Sequence, residues 1–338
     1  MDQTDSPYTI ATVTADTASE AAKVFRAIYG ESFPMRYVYH ADQLMAEIEG
    51  GRLCAALAFD QGQEAIGYAS VYRNAPNPLL WEGGNLVLIP GRGDDQLGWS
   101  LMEYFKQPGR LPGPPTEGYY SESVCHHYFT QVGCAKLGLH DCAIELDQLD
   151  GASFTEHRPN TDRVACVLQF YEQTDQPEPV FLPNRYADVL RRLAQPLQPR
   201  EFLPSSLPLP ESGATATTNS YYESARTWKL SVSEIGGDWE AWLDKLLADA
   251  LQRKVVSLQV ILSAATPCIG AAVEAMWERG FFLGGLFPRW FGADGIMLQQ
   301  VLGKEPDYEG IKLYSQEARA LLGFIRDDRD AAKRGQTR

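Results

Sequence analysis

The sequence lacks the features of membrane and secreted proteins. No apolar run approaches the roughly 18 residues that a transmembrane helix needs. The first residues, MDQTD, are acidic and polar, whereas a signal peptide begins with a basic region followed by an apolar one. Six cysteines in a chain of 338 residues do not suggest a disulfide scaffold, which favours a reducing compartment. We therefore expect a cytoplasmic protein with no membrane partner.

Positive charge is also scarce. The chain has 30 Lys and Arg residues against 44 Asp and Glu residues, which gives a formal net charge of -14. Binding to a phosphate backbone needs clustered Lys and Arg, so we expect no nucleic-acid partner. A negative surface is compatible with a cationic substrate such as an amine. The composition leaves the oligomeric state open.

The sequence also lacks the spacing of Cys and His residues that is typical of metal sites. Possible ligands cluster in one segment, namely Cys125, His126, His127, Cys134, His140 and Cys142. Zinc sites in short chains typically contain pairs such as Cys-x-x-Cys, and this segment has no such pair. We interpret these residues as buried cysteines and surface histidines, and we expect no metal.

What the sequence does contain is a regular alternation of strand and helix patterns. The first 150 residues follow the order β-α-α-β-β-β-α-β-α-β, with a hairpin at residues 60–63. The hairpin makes the early strands antiparallel, and the helix between the fourth and fifth strands allows those two to be parallel. The pattern predicts a mixed α/β fold with helices on the faces of a mixed sheet.

The second half of the chain repeats this order, beginning with a predicted strand at residues 163–171. In each half a late helix ends at a glycine C-cap, Gly138 or Gly280, which is followed by an apolar residue. The same glycine C-cap at the same place in two similar orders of strands and helices suggests a tandem fold. The chain length also favours two domains. We predict domains at residues 1–155 and 156–338, with a charged tail from residue 326 that frays.

Two motifs in this element order carry a family resemblance. The strand-to-helix turn at residues 87–93 (VLIPGRG) and the helix end at residues 136–139 (KLGL) resemble the GNAT superfamily of acyltransferases. The resemblance implies two tandem GNAT-like domains and transfer of an acyl group from coenzyme A to an amine. It also implies a bulge in the fourth strand, and a following turn whose backbone N–H groups hold the cofactor pyrophosphate at a helix N-terminus.

The resemblance assigns cofactor-binding residues to the first half of the chain. His127 falls where many members contact the pantetheine arm, and the turn supplies Leu88, Ile89, Arg92, Gly93, Gln96, Leu97 and Gly98. The turn is irregular in either possible register. With residues 93–98 on the turn, Gln96 stands where the family has a glycine, and a one-residue deletion would place residues 92–97 there instead. Asp94 and Asp95 would repel a pyrophosphate unless they faced away from it. The corresponding turn of the second half, residues 235–239, has two glycines and no basic residue, so we predict a degenerate second site.

Family members usually need a base, and two carboxylates are candidates. Glu122 shares a strand face with Val124 by the period of two, and burying an unpaired carboxylate on such a face is costly. It is either a general base in the cleft or a strand-end carboxylate that is exposed or paired with an arginine. Glu82, near the start of the fourth strand, is the second candidate. Because Cys134 falls at the position of the family's proton-donating tyrosine, we name Tyr128 as the substitute.

Three functions follow from this resemblance. The first is an N-acyltransferase that uses acetyl-CoA and acts on an amine of a small molecule or a peptide. The second is a non-catalytic tandem fold that senses a ligand or docks a partner, which the irregular turn and the missing tyrosine favour. The third is a transferase with another acyl donor, such as aminoacyl-tRNA, and the net charge of -14 weighs against it. Fold alone does not decide among the three.

Overall fold

The computed structural model describes residues 7–31, 33, 35–94, 96–154, 161–174 and 179–336. The chain divides into two compact units, residues 1–116 and residues 117–338. Within the described ranges, none of the helices combines the length and the apolar character that a membrane span requires.

The first unit contains an antiparallel sheet in the order β1-β2-β3-β4. Its elements are β1 (Tyr8–Thr12), α1 (Ala18–Tyr29), a 3-10 turn (Arg36–Tyr39), α2 (Ala41–Glu49), β2 (Leu53–Asp60), β3 (Ala65–Tyr72), β4 (Leu80–Leu88) and α3 (Leu97–Lys106).

Helices cover both faces of this first sheet. Apolar side chains recur along α1 at helical spacing, so one face of the helix is buried, and the ring of Phe25 lies 5.0 Å from that of Tyr68 on β3. The neighbouring residue on β3, Gly67, faces α3. A Cβ atom at Gly67 would lie 3.0 Å from the side chain of Leu101. Successive residues of β3 therefore face opposite helices.

The second unit contains a mixed sheet in the order β5-β7-β6-β13-β14-β12-β11-β10, in which β11 and β12 are parallel. A separate pair, β8 and β9, is also parallel. The elements are β5 (Gly118–Val124), α4 (Phe129–Lys136), β6 (His140–Asp150), β7 (Arg163–Glu172), β8 (Pro179–Leu182), α5 (Ala187–Ala194), β9 (Glu201–Pro204), β10 (Ala216–Tyr222), β11 (Thr227–Glu234), α6 (Trp239–Gln252), β12 (Ser257–Ser263), α7 (Ile269–Glu278), β13 (Phe282–Phe287), β14 (Gly295–Val301) and α8 (Gln316–Gln336).

The sheet of the second unit shows an internal repeat. The run β5-α4-β6-β7 forms the strand order β5-β7-β6, and the run β12-α7-β13-β14 forms the order β12-β14-β13. In each set the last strand lies between the first two, and the sets meet through β6 and β13. Gly138 and Gly280 end the two equivalent helices with φ of 81° and 86°. The mixed α/β fold with a tandem repeat, expected from the sequence, is confirmed.

The place of β7 differs from the prediction. We expected this strand to open the second domain, but it lies between β5 and β6 and pairs with β5 from Gly118–Glu172 to Val124–Cys166. Backbone pairing, which the sequence pattern does not reveal, therefore makes β7 the last strand of the first set. The domain boundary at residue 155 stays a prediction.

The charged tail also differs from the prediction, because α8 continues to Gln336 within the described residues. Its carboxylate Asp328 accepts hydrogen bonds from the Leu283 backbone N–H at 2.8 Å, the Tyr186 hydroxyl at 2.8 Å and the Trp277 indole N–H at 3.2 Å. Ala332, one turn further, is buried. One face of the tail helix therefore packs on the core although its sequence is mostly polar.

The meeting point of β6 and β13 depends on a glycine. Gly285 is the residue of β13 that pairs with Ala143 of β6, and its φ is 145°. A Cβ atom at this position would lie 2.3 Å from the Cys142 carbonyl oxygen, closer than real Cβ contacts. The two sets of strands can approach each other here because residue 285 has no side chain.

We predict that Gly285→Ala lowers the free energy of unfolding by about 3 kcal/mol, through a clash with backbone atoms added to backbone strain. Gly303→Ala is the matched control, since Gly303 has φ of 75° but open space around the added methyl group. Its cost should be about 1 kcal/mol. Equal losses for the two variants in urea unfolding would contradict the close approach.

Candidate functional site

The fourth strand of the first unit contains the bulge that the family resemblance implies. Ser70 of β3 pairs with Gly84, but Tyr68 pairs with Val87, so β4 holds one residue more than its partner. Asn85 lies in this bulge with φ of 46°. A bulge interrupts the ladder of hydrogen bonds and redirects the strand, as is common next to functional sites.

The turn after β4 connects the bulged strand to α3. Leu88 still pairs with Gly67, and the backbone N–H of Ile89 donates to the Ile66 carbonyl at 3.0 Å. Gly93 has φ of 78°, and a Cβ atom there would lie 2.6 Å from the side chain of Leu97. Glycine at residue 93 therefore lets the turn lie close to the start of the helix.

A carboxylate already occupies this helix start. The side chain of Asp94 accepts a hydrogen bond from the Gln96 N–H at 3.0 Å, and its carbonyl accepts one from the Leu97 N–H at 3.1 Å. Asp94 is exposed to solvent, as expected if it does not repel a pyrophosphate, but its side chain also satisfies an N–H group at the helix start. Asp95 lies outside the described residues.

Arg92 is paired within the first unit. Its Nη2 atom lies 2.5 Å from an Asp60 oxygen and 2.8 Å from a Glu64 oxygen, both at the β2–β3 hairpin. The guanidinium is partly exposed, so these ion pairs are screened by water and contribute little stability. A phosphate would have to compete with these two carboxylates to bind the Arg92 guanidinium.

The corresponding turn of the second unit is closed by its own backbone. The Gly237 N–H donates to the Ser212 and Gly213 carbonyls, both at 3.1 Å, and the Gly236 N–H donates to the Thr215 hydroxyl at 3.1 Å. The Thr215 hydroxyl and N–H in turn donate to Asp238 at 2.7 and 2.8 Å. These contacts use the N–H groups that a phosphate would need.

His127 and Tyr128 lie in the loop between β5 and α4. The His127 ring lies 4.4 Å from the ring of His126 and 4.9 Å from that of Phe129, while Tyr128 is 46% exposed. The buried amide of Gln131 fixes this loop by donating to the His127 carbonyl at 3.0 Å. Sequence reasoning assigned Gln131 no role, because its carbonyl partners are set by the folded loop.

Cys134 is buried beneath β5. Its Sγ atom lies 3.6 Å from the Ser123 hydroxyl, which donates to Gln169 at 2.8 Å. Burial raises the pKa of the Cys134 thiol, and hydrogen bonds with Ser121 and Ser123 oppose that rise. A thiol in this environment stays protonated and is inert as a nucleophile.

The two candidate bases have different surroundings. Glu82, on β4 of the first unit, is partly exposed and accepts a hydrogen bond from the Asn74 amide at 2.7 Å. Glu122, on β5 of the second unit, lies 2.6 Å from the Lys229 Nζ atom. One alternative for Glu122 was a pair with an arginine, and the structure instead pairs it with a lysine from β11.

Lys229 also lies 2.7 Å from Glu145 on β6, so one ammonium bridges two carboxylates. The exposed fractions are 8% for Lys229, 20% for Glu122 and 0% for Glu145. Burial alone would lower the pKa of Lys229, but the charges of Glu122 and Glu145 raise it well above its usual value. We call these three residues the buried triad. Sequence reasoning missed Lys229 and Glu145, since no local pattern links strands so far apart in the chain.

The predicted site residues are thus divided between the compact units. The first unit holds Glu82, Leu88, Ile89, Arg92, Gly93, Gln96, Leu97 and Gly98, and the second holds Glu122, His127 and Tyr128. The strand, bulge and turn bring the first group together, and the β5–α4 segment carries the second group.

We predict that Lys229→Met lowers the free energy of unfolding by about 3–5 kcal/mol, because it takes the cation away from the fully buried Glu145. Adding Glu145→Gln should recover more than half of this loss. The control is Lys245→Met, which removes an exposed pair with Asp249 and should cost less than about 0.5 kcal/mol. Similar losses for the two lysine variants in chemical unfolding would contradict the buried triad.

Comparison with known proteins gives structural matches only. No family model matches the chain, and no curated protein matches it. A GNAT superfamily phosphinothricin acetyltransferase from Sinorhizobium meliloti, in complex with AcCoA, is 13% identical, with 50% of this chain and 90% of that chain covered and a TM-score of 0.39.

Two further solved structures match over a similar share of the chain. A GNAT family acetyltransferase from Bacillus cereus is 12% identical over 49% of this chain and 98% of its own, with a TM-score of 0.36. The ribosomal-protein-S5-alanine acetyltransferase from Vibrio fischeri is 12% identical over 51% of this chain and 96% of its own, with a TM-score of 0.39. The solved structures to which this chain is similar thus include GNAT acetyltransferases, each covered almost completely by about half of the chain.

Proposed function

We propose that the protein is an acyl-CoA-dependent N-acyltransferase that moves an acetyl group from acetyl-CoA to an amine of a small molecule or a peptide. The observation that carries the proposal is the succession of bulged strand, glycine turn and helix in the first unit. The bulge at Asn85 interrupts the pairing of β4, which resumes at Val87 and Leu88, and Gly93 then turns the chain towards α3. A helix start behind such a turn favours phosphate groups through its N–H groups and its dipole.

The residues of the turn fit the cofactor once the Asp94 carboxylate has left the helix start. A pyrophosphate on the Gln96 N–H would replace the Asp94 carboxylate, which is an anion in the same place. Gly93 lets the turn lie close to the start of α3, and Arg92 lies one residue before it. Leu88, Ile89, Leu97 and Gly98 complete the proposed contact, and His127 is proposed for the pantetheine arm.

Acetyl-CoA would supply the activated thioester, and the chain's own residues would position the acceptor and accept its proton. An ammonium cannot attack a thioester, so a base must first take one proton from it. We propose Glu122 for this role, with Glu82 as the alternative carboxylate. Tyr128, which is exposed at the start of α4, is the proposed donor to the departing thiolate.

A second candidate, a non-catalytic tandem fold that binds a ligand or a partner, is favoured by three observations. Asp94 fills the first helix start, and backbone carbonyls close the Gly236–Gly237 turn. Cys134 stands where the resemblance places a tyrosine and is buried. Binding of coenzyme A separates the two candidates, because only the enzyme needs that ligand.

We expect acetyl-CoA to raise the melting temperature. Ligand at about 100 times its dissociation constant adds about 2.7 kcal/mol to the free energy of unfolding. The measurement is a thermal shift with acetyl-CoA, with calorimetry as the direct check. Absence of both a shift and a binding heat would contradict the enzyme and leave the non-catalytic candidate.

We expect two charge changes at the turn to act in opposite directions. Asp94→Asn removes an anion from the phosphate position and should strengthen acetyl-CoA binding. Arg92→Glu adds a third carboxylate beside Asp60 and Glu64, and should weaken binding more than tenfold, about 1.4 kcal/mol.

The control for the turn variants is Arg52→Glu, which makes the same change of charge at an exposed residue paired with Glu47. It should leave the dissociation constant within about twofold of the wild type, because screening limits distant surface charges. If calorimetry finds equal binding by Arg92→Glu and Arg52→Glu, the phosphates do not bind at this turn.

A further inference from the structure

We infer that Lys229 is a positioning residue, contributed by the repeated half of the sheet, that holds Glu122 ready to accept the proton of the acceptor amine. The inference rests on the proposed function. Lys229 lies on β11, whereas Glu122 lies on β5, in the first set of strands. The Nζ–Oε1 distance of 2.6 Å makes the contact a charge-assisted hydrogen bond.

Accessibility separates the two carboxylates of the buried triad. Glu145 is fully buried on β6, while 20% of the Glu122 side chain is exposed. Glu122 is therefore the carboxylate of the triad that solvent reaches. Glu145 contacts Lys229 at 2.7 Å from within the core and serves as its permanent counter-ion.

The buried triad carries an excess of negative charge. Two carboxylates around one ammonium leave one negative charge in excess, and one proton neutralises the group. Among the residues that the structure describes, Cys166 on β7 and Tyr222 on β10 also interact electrostatically with the triad.

The proton transfer can be written with its atoms and electrons. The ammonium N–H bond of the acceptor breaks, its electron pair stays on nitrogen, and the proton forms an O–H bond with Glu122. The free amine can then attack the thioester carbonyl. Lys229 loses its charged contact with Glu122 at this point, but it keeps the one with Glu145. Without Glu145 the same step would leave a buried ammonium unpaired, which is strongly unfavourable.

The inference also gives the repeated half of the sheet a role. Its own turn at Gly236 and Gly237 is closed by backbone contacts. Lys229, however, lies on β11, upstream of that turn, and faces Glu122 on β5. Lys229, from the repeated half of the sheet, therefore completes the proton acceptor formed by Glu122 on β5.

The test is the pH dependence of kcat/KM for acetyl transfer in the wild type, Glu122→Gln, Glu145→Gln and Lys229→Arg. Glu122→Gln should lose at least about 100-fold in kcat/KM, since it cannot accept a proton. Glu145→Gln should shift the acid limb of the profile to lower pH, because it removes a like charge beside Glu122. Lys229→Arg keeps the cation and should keep the acid limb in place.

The control is Glu201→Gln, at an exposed residue of β9, which should reproduce the wild-type profile. An active wild type whose acid limb is unmoved by Glu145→Gln would overturn the inference while the proposed function stands. Full activity of Glu122→Gln would also overturn it. Absence of transfer by the wild type to any amine of a broad panel would overturn the proposed function, and with it the proton-accepting role of Glu122.

Discussion

One buried ammonium constrains three strands of the second unit. Lys229 on β11 holds Glu122 on β5 and Glu145 on β6 at 2.6 and 2.7 Å. A fully buried carboxylate such as Glu145 is stable only with a partner of opposite charge. The requirement brings the Lys229 side chain of β11 to carboxylates on β5 and β6, although the sheet order places β13, β14 and β12 between β6 and β11.

Neutral side chains extend this constraint along β6. Gln299 of β14 donates to the Ile144 carbonyl and accepts from the Leu146 N–H, both at 2.8 Å. Ser257 of β12 donates to the Leu146 carbonyl at 2.8 Å, and Thr227 of β11 donates to the carbonyl of Gln148. The register of β6 with β7 is interrupted between Glu145 and Leu149, so side chains satisfy backbone groups there. Buried polar networks of this kind fix one arrangement of the strands.

The two strand-to-helix turns are closed in different ways, and the difference bears on function. A single carboxylate, Asp94, occupies the start of α3, and an incoming anion can replace it with little rearrangement. The start of α6 is closed by carbonyls of residues 212 and 213 and by Thr215, so opening it would require moving the backbone. Of the two turns, the first is the better candidate for a phosphate.

The sequence by itself determined the local features: the strands and helices, the glycine C-caps at residues 138 and 280, and the irregular turn before α3. These depend on periodicity and on backbone conformations that nearby residues decide. Only the tertiary structure decided that β7 lies between β5 and β6, that the polar tail is helical to Gln336, and that Lys229 is the partner of Glu122. Strand pairing, burial and ion pairing join residues far apart in the chain, and their energies depend on positions that no local pattern encodes.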